Sequence, residues 1–410
     1  MSSTSNKEAC RPLEGIRVVA FEHAVAGPIC TRHLADLGAE VIKVERPEGG
    51  DFARGYDDYV DGNSSYFVWL NRAKRSLALD IKSPAASGVI HRLIERADIV
   101  VQNLAPGASS RGGFAYADVS RINSRCILVD ISGYGESGPF AQKKAYDMLV
   151  QAEGGFMSVT GTPDTPVRAG ISIVDLATGM YAQSAALAAL LRRARTGQGS
   201  NVKVAMIDAL AEWMTHPLYR YAYRGTFTPR SPANHPAITP YGIHAVRGGS
   251  VIFSVQNERE WASFCRTVML QPELAHSEKF CSNSARRRNE AELTALIEDR
   301  FSALSPLEVT TLLDEAGIAN GRLNDAKGLW EHEQLSGRDK WREIRVPGGK
   351  AIRALLPPIV FSDIEAVMGD VPALGQDTTA ILQDLGLQQD EILGLHESGA
   401  VMTCTTKDHD

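Results

Sequence analysis

Short apolar runs of strand length alternate with amphipathic stretches along the first half of the chain. Residues 16–21 (IRVVAF) and 40–45 (EVIKVE) are rich in β-branched side chains and too short for helices, so they predict strands. Between them, residues 22–28 (EHAVAGP) turn the chain, and 29–37 reads as a short helix stopped by Gly38. Strand, helix and strand in such close succession form a βαβ unit, which requires a parallel pair. The rhythm recurs, with strands predicted at 77–81, 98–103, 126–132 and 201–206. Helices are predicted at 84–97, 176–194 and 207–223, and 107–123 is partly helical. The pattern predicts an α/β fold, a Rossmann-like doubly wound parallel sheet.

The pattern breaks at Gly225. Residues 225–240 hold four prolines and no long apolar run, which reads as a linker or an active-site loop. A strand at 251–255 (VIFSV) and a mainly helical stretch from 258 to 314 follow, and beyond 322 the chain is looser. The expected organisation is a large domain over 1–224, a smaller α+β domain over 225–321, and a C-terminal segment over 322–410.

Composition narrows the class. The chain has 410 residues, 44% hydrophobic and 22% charged, as soluble globular proteins do. Its net charge of −6 argues against nucleic acid or an anionic membrane as partner. Six cysteines at 10, 30, 126, 265, 281 and 404 show no CxxC spacing and predict reduced, mostly buried thiols. The first fourteen residues lack the apolar segment of a signal peptide, and no metal-ligand motif occurs. A cytoplasmic protein with no metal and no membrane span is the expectation.

In a doubly wound sheet, ligands bind beyond the carboxyl ends of the strands. Arg46 and Lys82 follow two predicted strands directly, where cations suit a phosphate-bearing ligand, although each also reads as a solvated charge. Gly133, Gly135 and Gly138 spell G-x-G-x-x-G, but Pro139 follows and no helix opens, so the spacing carries no dinucleotide meaning. His23 ends the first strand and His235 lies in the proline-rich loop. Asp175 stands alone among apolar residues where a glycine-punctuated loop (AGISIVDLATG, 169–179) turns into an Ala/Leu helix. There it reads either as a helix cap or as a reactive carboxylate.

Several blocks in order resemble one family. They are FEHAVAGP (21–28), LADLGAEVIKVERPEGGD (34–51), NRAKRSLALDIK (71–82), QNLAPG (102–107), GYGESGP (133–139), KAYDMLVQAEGG (144–155), the Asp175 segment and RTGQGSNVKVAM (195–206). Together they are similar to class III CoA-transferases, the formyl-CoA transferase and carnitine CoA-transferase type, over roughly residues 13–385. The resemblance implies an intertwined homodimer, with a Rossmann-like domain completed by the C-terminal segment and a smaller domain inserted between. It implies Asp175 as the covalent nucleophile. It also implies CoA contacts at Val25, Ala26, Arg46, Leu79, Lys82, Asn103, Leu104, Arg111, Lys144 and Tyr146. Coenzyme A enters as part of the acyl-CoA substrate, with no permanently bound cofactor.

Departures from the family pattern refine the expectation. The run of glycines of the formyl-CoA/oxalate enzymes is missing from 230–239 (RSPANHPAIT), which argues against oxalate. Tyr146 stands where the related 2-methylacyl-CoA racemases carry a histidine, which argues against the alternative of a racemase or isomerase on the same fold. The resemblance runs to the subgroup that moves CoA from succinyl-CoA to C4–C6 dicarboxylates such as itaconate, mesaconate or citramalate. A second substrate carboxylate requires a cation or donor, and Arg54, Arg168, Arg230 and His235 are the candidates.

Overall fold

The structure, a computed structural model, describes residues 10–404. They divide into two compact units. One comprises the chain up to Gly154, Ala169–Thr215 and the chain from Arg338 on; the other comprises Gly155–Arg168 and His216–Gly337. The chain therefore leaves the first unit twice. The long excursion begins and ends outside the composition shifts at 225 and 322, and nothing in the sequence pattern marks the short one.

The first unit is built on six parallel strands: β1 (Arg17–Phe21), β2 (Glu40–Glu45), β3 (Lys74–Leu79), β4 (Ile99–Gln102), β5 (Ile127–Ser132) and β6 (Ser200–Ala205). Their order is β3-β2-β1-β4-β5-β6, and the short strand Val401–Met402 pairs antiparallel with β3 at the edge. Seven helices of this unit concern the site: α1 (Ala26–Asp36), α2 (Ser65–Asn71), α3 (Ser87–Arg96), α4 (Ala108–Gly112), α5 (Tyr116–Ile122), α6 (Asp147–Glu153) and α7 (Ile173–Thr196).

The central strands read as continuous apolar runs because both sheet faces are covered. On one face Val19, Phe21, Ile42, Leu77, Val100 and Leu128 pack with α3, α5 and the C-terminal helices that carry Ile381 and Ile392. On the other, Val18, Ala20, Val41, Ile99, Val101 and Val129 pack with α1 and α7. The α7 helix, with a mean hydropathy of 1.3 over an 18-residue window, is long and apolar enough to cross a membrane. It is instead a core helix, since Ala182, Ala186 and Ala189 are buried in this second cluster. Gly179 marks its crossing with α1: a Cβ there would stand 2.1 Å from Ile29 Cγ2 and 2.7 Å from the Ala26 carbonyl oxygen. No other residue allows that approach.

Several elements depart from the sequence pattern for physical reasons. The strand expected at 77–81 begins at Lys74, because the charge of Lys74 is buried against Glu22 rather than exposed. The helix expected at 176 begins at Ile173, capped by a side chain from elsewhere in the chain. The helix expected over 207–223 is two, Met206–Trp213 and Thr215–Arg224. Gly135 and Gly138 adopt φ values of +86° and +85°, and the next helix starts only at Asp147. The cysteine expectation needs correction: Cys30, Cys126 and Cys265 are buried, but Cys10, Cys281 and Cys404 are exposed.

The second unit holds a three-stranded antiparallel sheet, Tyr241–Val246, Gly249–Ser254 and Ala319–Arg322. Helices Glu258–Thr267, Glu290–Phe301 and Pro306–Glu315 pack on it around Phe253, Trp261, Phe264, Phe301 and Leu313.

Candidate active site

Strand order reverses between β1 and β4, so the crevice beyond their carboxyl ends is where this topology receives ligands. Val25 and Ala26 open α1 there, and Asn103 and Leu104 follow β4. The Asn103 side chain ties the two strand ends together, accepting from the His23 amide at 2.9 Å and donating to the His23 carbonyl at 2.9 Å. Gly27 is required beside them, since a Cβ would lie 2.9 Å from Glu22 Cβ and 3.1 Å from Asn103 Cγ. Ala24 sits at φ +60°, a left-handed conformation that costs a β-carbon-bearing residue of order 1 kcal/mol. Asp51 holds it there by accepting from the Ala24 amide at 3.1 Å.

A buried ionic cluster underlies this turn. Glu22 meets Lys74 at 2.8 Å and accepts from the Thr31 hydroxyl at 2.8 Å, while Lys43 meets Asp51 at 2.9 Å and Glu22 at 3.5 Å. The side chains of Glu22, Lys43 and Lys74 are fully buried. Burial pushes the Glu22 and Asp51 carboxyls up, but the lysine charges outweigh it and hold both below the usual range. These acids are structural anchors, kept ionised by their partners.

The start of α7 is built differently. Asp147, the first residue of α6, accepts through Oδ1 from the amides of Val174 (2.8 Å) and Asp175 (3.2 Å). Gln151, one turn on and fully buried, donates to Asp147 Oδ2 at 2.5 Å and accepts from the Ala169 amide at 2.8 Å. The Ile173 amide is taken by the Ile171 carbonyl. The Leu176 amide donates to the Ser172 carbonyl, so every amide of the first turn is engaged within the protein.

Asp175 itself is the third residue of α7 and caps nothing, so of the two local readings the cap fails. Its half-buried carboxylate makes no hydrogen bond among the described residues. Burial first, and then the neighbouring Asp147 charge, push it up to about 7. A carboxylate with no ion-pair partner among the described residues, poised between protonation states at neutral pH, is a candidate nucleophile.

The model of the family described as CoA-transferase family III matches residues 13–378. The chain belongs to that family. Among curated relatives of this CoA-transferase, succinyl-CoA:glutarate CoA-transferase of Mus musculus is 33% identical, with 94% of this chain and 89% of the relative covered. Acetyl-CoA:oxalate CoA-transferase of Acetobacter aceti is 33% identical over 83% and 87%, and succinyl-CoA–D-citramalate CoA-transferase of Chloroflexus aurantiacus 31% over 95% and 98%. The crystal structure of a CAIB/BAIF family protein from Brucella suis superposes with a TM-score of 0.82 at 33% identity, covering 91% of this chain and 99% of that one.

The residues that the family resemblance assigns to CoA are spread around the sheet's carboxyl edge. Arg46 follows β2 and donates to the Gly50 carbonyl at 3.0 and 3.1 Å. Lys82, beyond β3, is exposed, as are Arg111 on α4, Lys144, and Tyr146 next to α6. Leu79 is buried in the core and offers no side chain to a ligand.

The candidates for a second carboxylate fare unequally. Arg54 is committed to the fold: it forms a bidentate pair with Glu45 (2.8 Å twice), donates to the Pro372 carbonyl and stacks 3.6 Å from the Phe67 ring centre. Arg230 and His235 belong to the second unit, where Arg230 donates to the carbonyls of Thr162 and Pro163 and His235 stacks on Tyr241. Arg168 ends the short excursion of that unit.

Sequence reasoning missed Gln151 and Tyr56. Tyr56 belongs to an aromatic series with His23, Phe52, Tyr66 and Trp69. Burial and then the charges of Asp51 and Asp175 raise its hydroxyl to about 12, so it stays a donor at neutral pH. Gln151 lies within the KAYDMLVQAEGG block, but nothing there sets it apart from its neighbours, and no motif marks Tyr56.

Proposed function

We propose that this chain transfers CoA from an acyl-CoA, succinyl-CoA, to a C4–C6 dicarboxylate such as itaconate, mesaconate or citramalate, by way of an aspartyl-CoA thioester on Asp175. The observation that carries the reading is the Asp175 carboxylate at the start of α7, raised by burial and by Asp147 and without an ion-pair partner among the described residues. Ionised Asp175 attacks the donor thioester carbonyl, forming a mixed anhydride and expelling CoA thiolate. The thiolate attacks the aspartyl carbonyl of the anhydride, releasing the donor acid and leaving the aspartyl-CoA thioester. The acceptor carboxylate then repeats the two steps in reverse. Each step exchanges one activated acyl group for another, so no ATP is consumed.

Val25, Ala26, Arg46, Lys82, Asn103, Leu104, Arg111, Lys144 and Tyr146 would form the CoA site, whereas the Leu79 side chain is spent on the core. The reversal of strand order between β1 and β4 supports it, because Val25, Ala26, Asn103 and Leu104 flank that point. Arg168, Arg230 and His235 would read the second carboxylate, whereas Arg54 already serves Glu45. The relatives named for glutarate and D-citramalate support a longer diacid. The relative named for oxalate shows that acceptor length varies among similar chains, and the missing glycine run at 230–239 speaks against oxalate here. A homodimer fits the helix Thr215–Arg224, which buries none of its residues and exposes Leu218, Tyr219, Tyr221 and Tyr223.

A panel of free acids with succinyl-CoA tests the reading. We expect a new CoA thioester with one or more C4–C6 dicarboxylates and weak or no transfer to oxalate. Transfer to none of them, or exchange of the α-hydrogen of a 2-methylacyl-CoA into deuterated water without an acceptor, would overturn it.

A further inference from the structure

Asp147 and Gln151 have no assigned part in the reaction, yet among the described residues they form the only side-chain bridge from another element to the first turn of α7. We propose that Asp147 and Gln151 are a positioning pair that fixes the Asp175 carboxylate for attack, by clamping the amides of Val174 and Asp175 to α6 and to the returning chain at Ala169. The proposal rests on Asp175 being the nucleophile.

Three features argue for it. The bridge is continuous, from the Ala169 amide through Gln151 and Asp147 to two successive amides of α7, with every link between 2.5 and 3.2 Å. It spans the short excursion of the chain, since the first unit ends at Gly154 and resumes at Ala169. The start of α7 is therefore registered to α6 by side chains, not by the intervening loop. Finally, an uncharged capping residue would serve the helix without placing a second acid beside Asp175. Ser or Asn caps well at such positions, and an anion near another anion opposes its ionisation. The choice of Asp147 makes sense if the second charge is useful, keeping the Asp175 carboxylate a stronger base and hence a stronger nucleophile.

The elements packed against α7 present other titratable and charged groups as well: Arg32, His33 and Asp36 on α1, Glu153 on α6, Asp130 on β5, Lys203 on β6, and Asp208 and Glu212 on the helix Met206–Trp213. Of all these neighbours, Asp147 is the one whose charge moves Asp175. The Asp175 charge is also felt at Tyr56, whose hydroxyl it helps to raise.

The test is the single-turnover rate of CoA-thioester formation on Asp175, measured by mass spectrometry as a function of pH. Asp147→Asn keeps an oxygen acceptor for the amides and removes the charge. We expect its ascending pH limb to move down by about half a unit or more, and its limiting rate to fall about tenfold. Gln151→Met removes both hydrogen bonds and leaves the charge. We expect a lower limiting rate with the limb in place. A wild-type protein that forms no adduct on Asp175 would refute the nucleophile and the pair with it. A wild-type adduct with both variants matching its rate and pH limb would refute the pair alone. Gln151→Met keeps the question answerable if Asp147→Asn does not fold.

Discussion

Glu22 and Asp51 lie beneath the β1–α1 turn, each in contact with a lysine; Asp175 lies at the start of α7, beside another acid. Burial acts on all three in the same direction, disfavouring charge. What differs is the neighbour. Lys74 and Lys43 restore the ionised state of the first pair, so those carboxylates are firm acceptors for Thr31, Ala24 and Ala53. Asp147 denies Asp175 the same relief. One place uses charge to hold a strained turn; the other leaves a carboxylate uncompensated, as the proposed nucleophile requires. Within one unit, the sign of the neighbouring charge separates the two settings.

Removing each acid should break the comparison in opposite ways. The largest effect is on turnover. Asp175→Asn keeps size and polarity but cannot form the anhydride, and we expect CoA transfer to fall by about 10³-fold or more in a steady-state assay. Next is the structural acid. Glu22→Ala leaves Lys74 buried without its ion-pair partner and Lys43 with Asp51 alone in direct contact. Breaking such a pair costs about 3–5 kcal/mol, read as a lower midpoint in chemical denaturation.

The smallest effect has the opposite sign. The folded-state value of Asp175, about 7, lies above that of an unfolded aspartate, so the native state loses stability as pH rises from about 4 to about 7. Asp175→Asn should therefore stabilise the protein by about 1–3 kcal/mol at pH 8, with no gain at pH 4. Thermal midpoints at the two pH values check this. A variant less stable than wild type at pH 8 would mean that Asp175 is compensated after all.

How much of this was legible in the sequence follows from how local each feature is. The strands β1, β2, β4 and β5 show as apolar runs because both faces of the sheet are covered, and that burial is written directly in residue type. The start of β3 was hidden because Lys74 and Arg75 look solvent-facing, and only the fold brings Glu22 to Lys74. The edge strand Tyr241–Val246 follows a proline and carries a buried histidine, His244, so its pattern is mixed. Asp175 drew attention through its setting and through the family resemblance. Its raised carboxylate did not show, because burial, its first cause, is set by the fold, and Asp147, the second, lies 28 positions earlier across the excursion of residues 155–168. The capping of α7 was misread for the same reason. A local cap was sought at the helix, and the cap comes from α6.

The most direct test of the central claim is to trap the intermediate. The protein is incubated with succinyl-CoA, treated with hydroxylamine, digested and sequenced by mass spectrometry. Hydroxamate is expected at Asp175, formed more readily above pH 7 than at pH 6 and absent without the acyl-CoA. An unmodified Asp175 in protein that is turning over, or modification at Asp147 in its place, would contradict it.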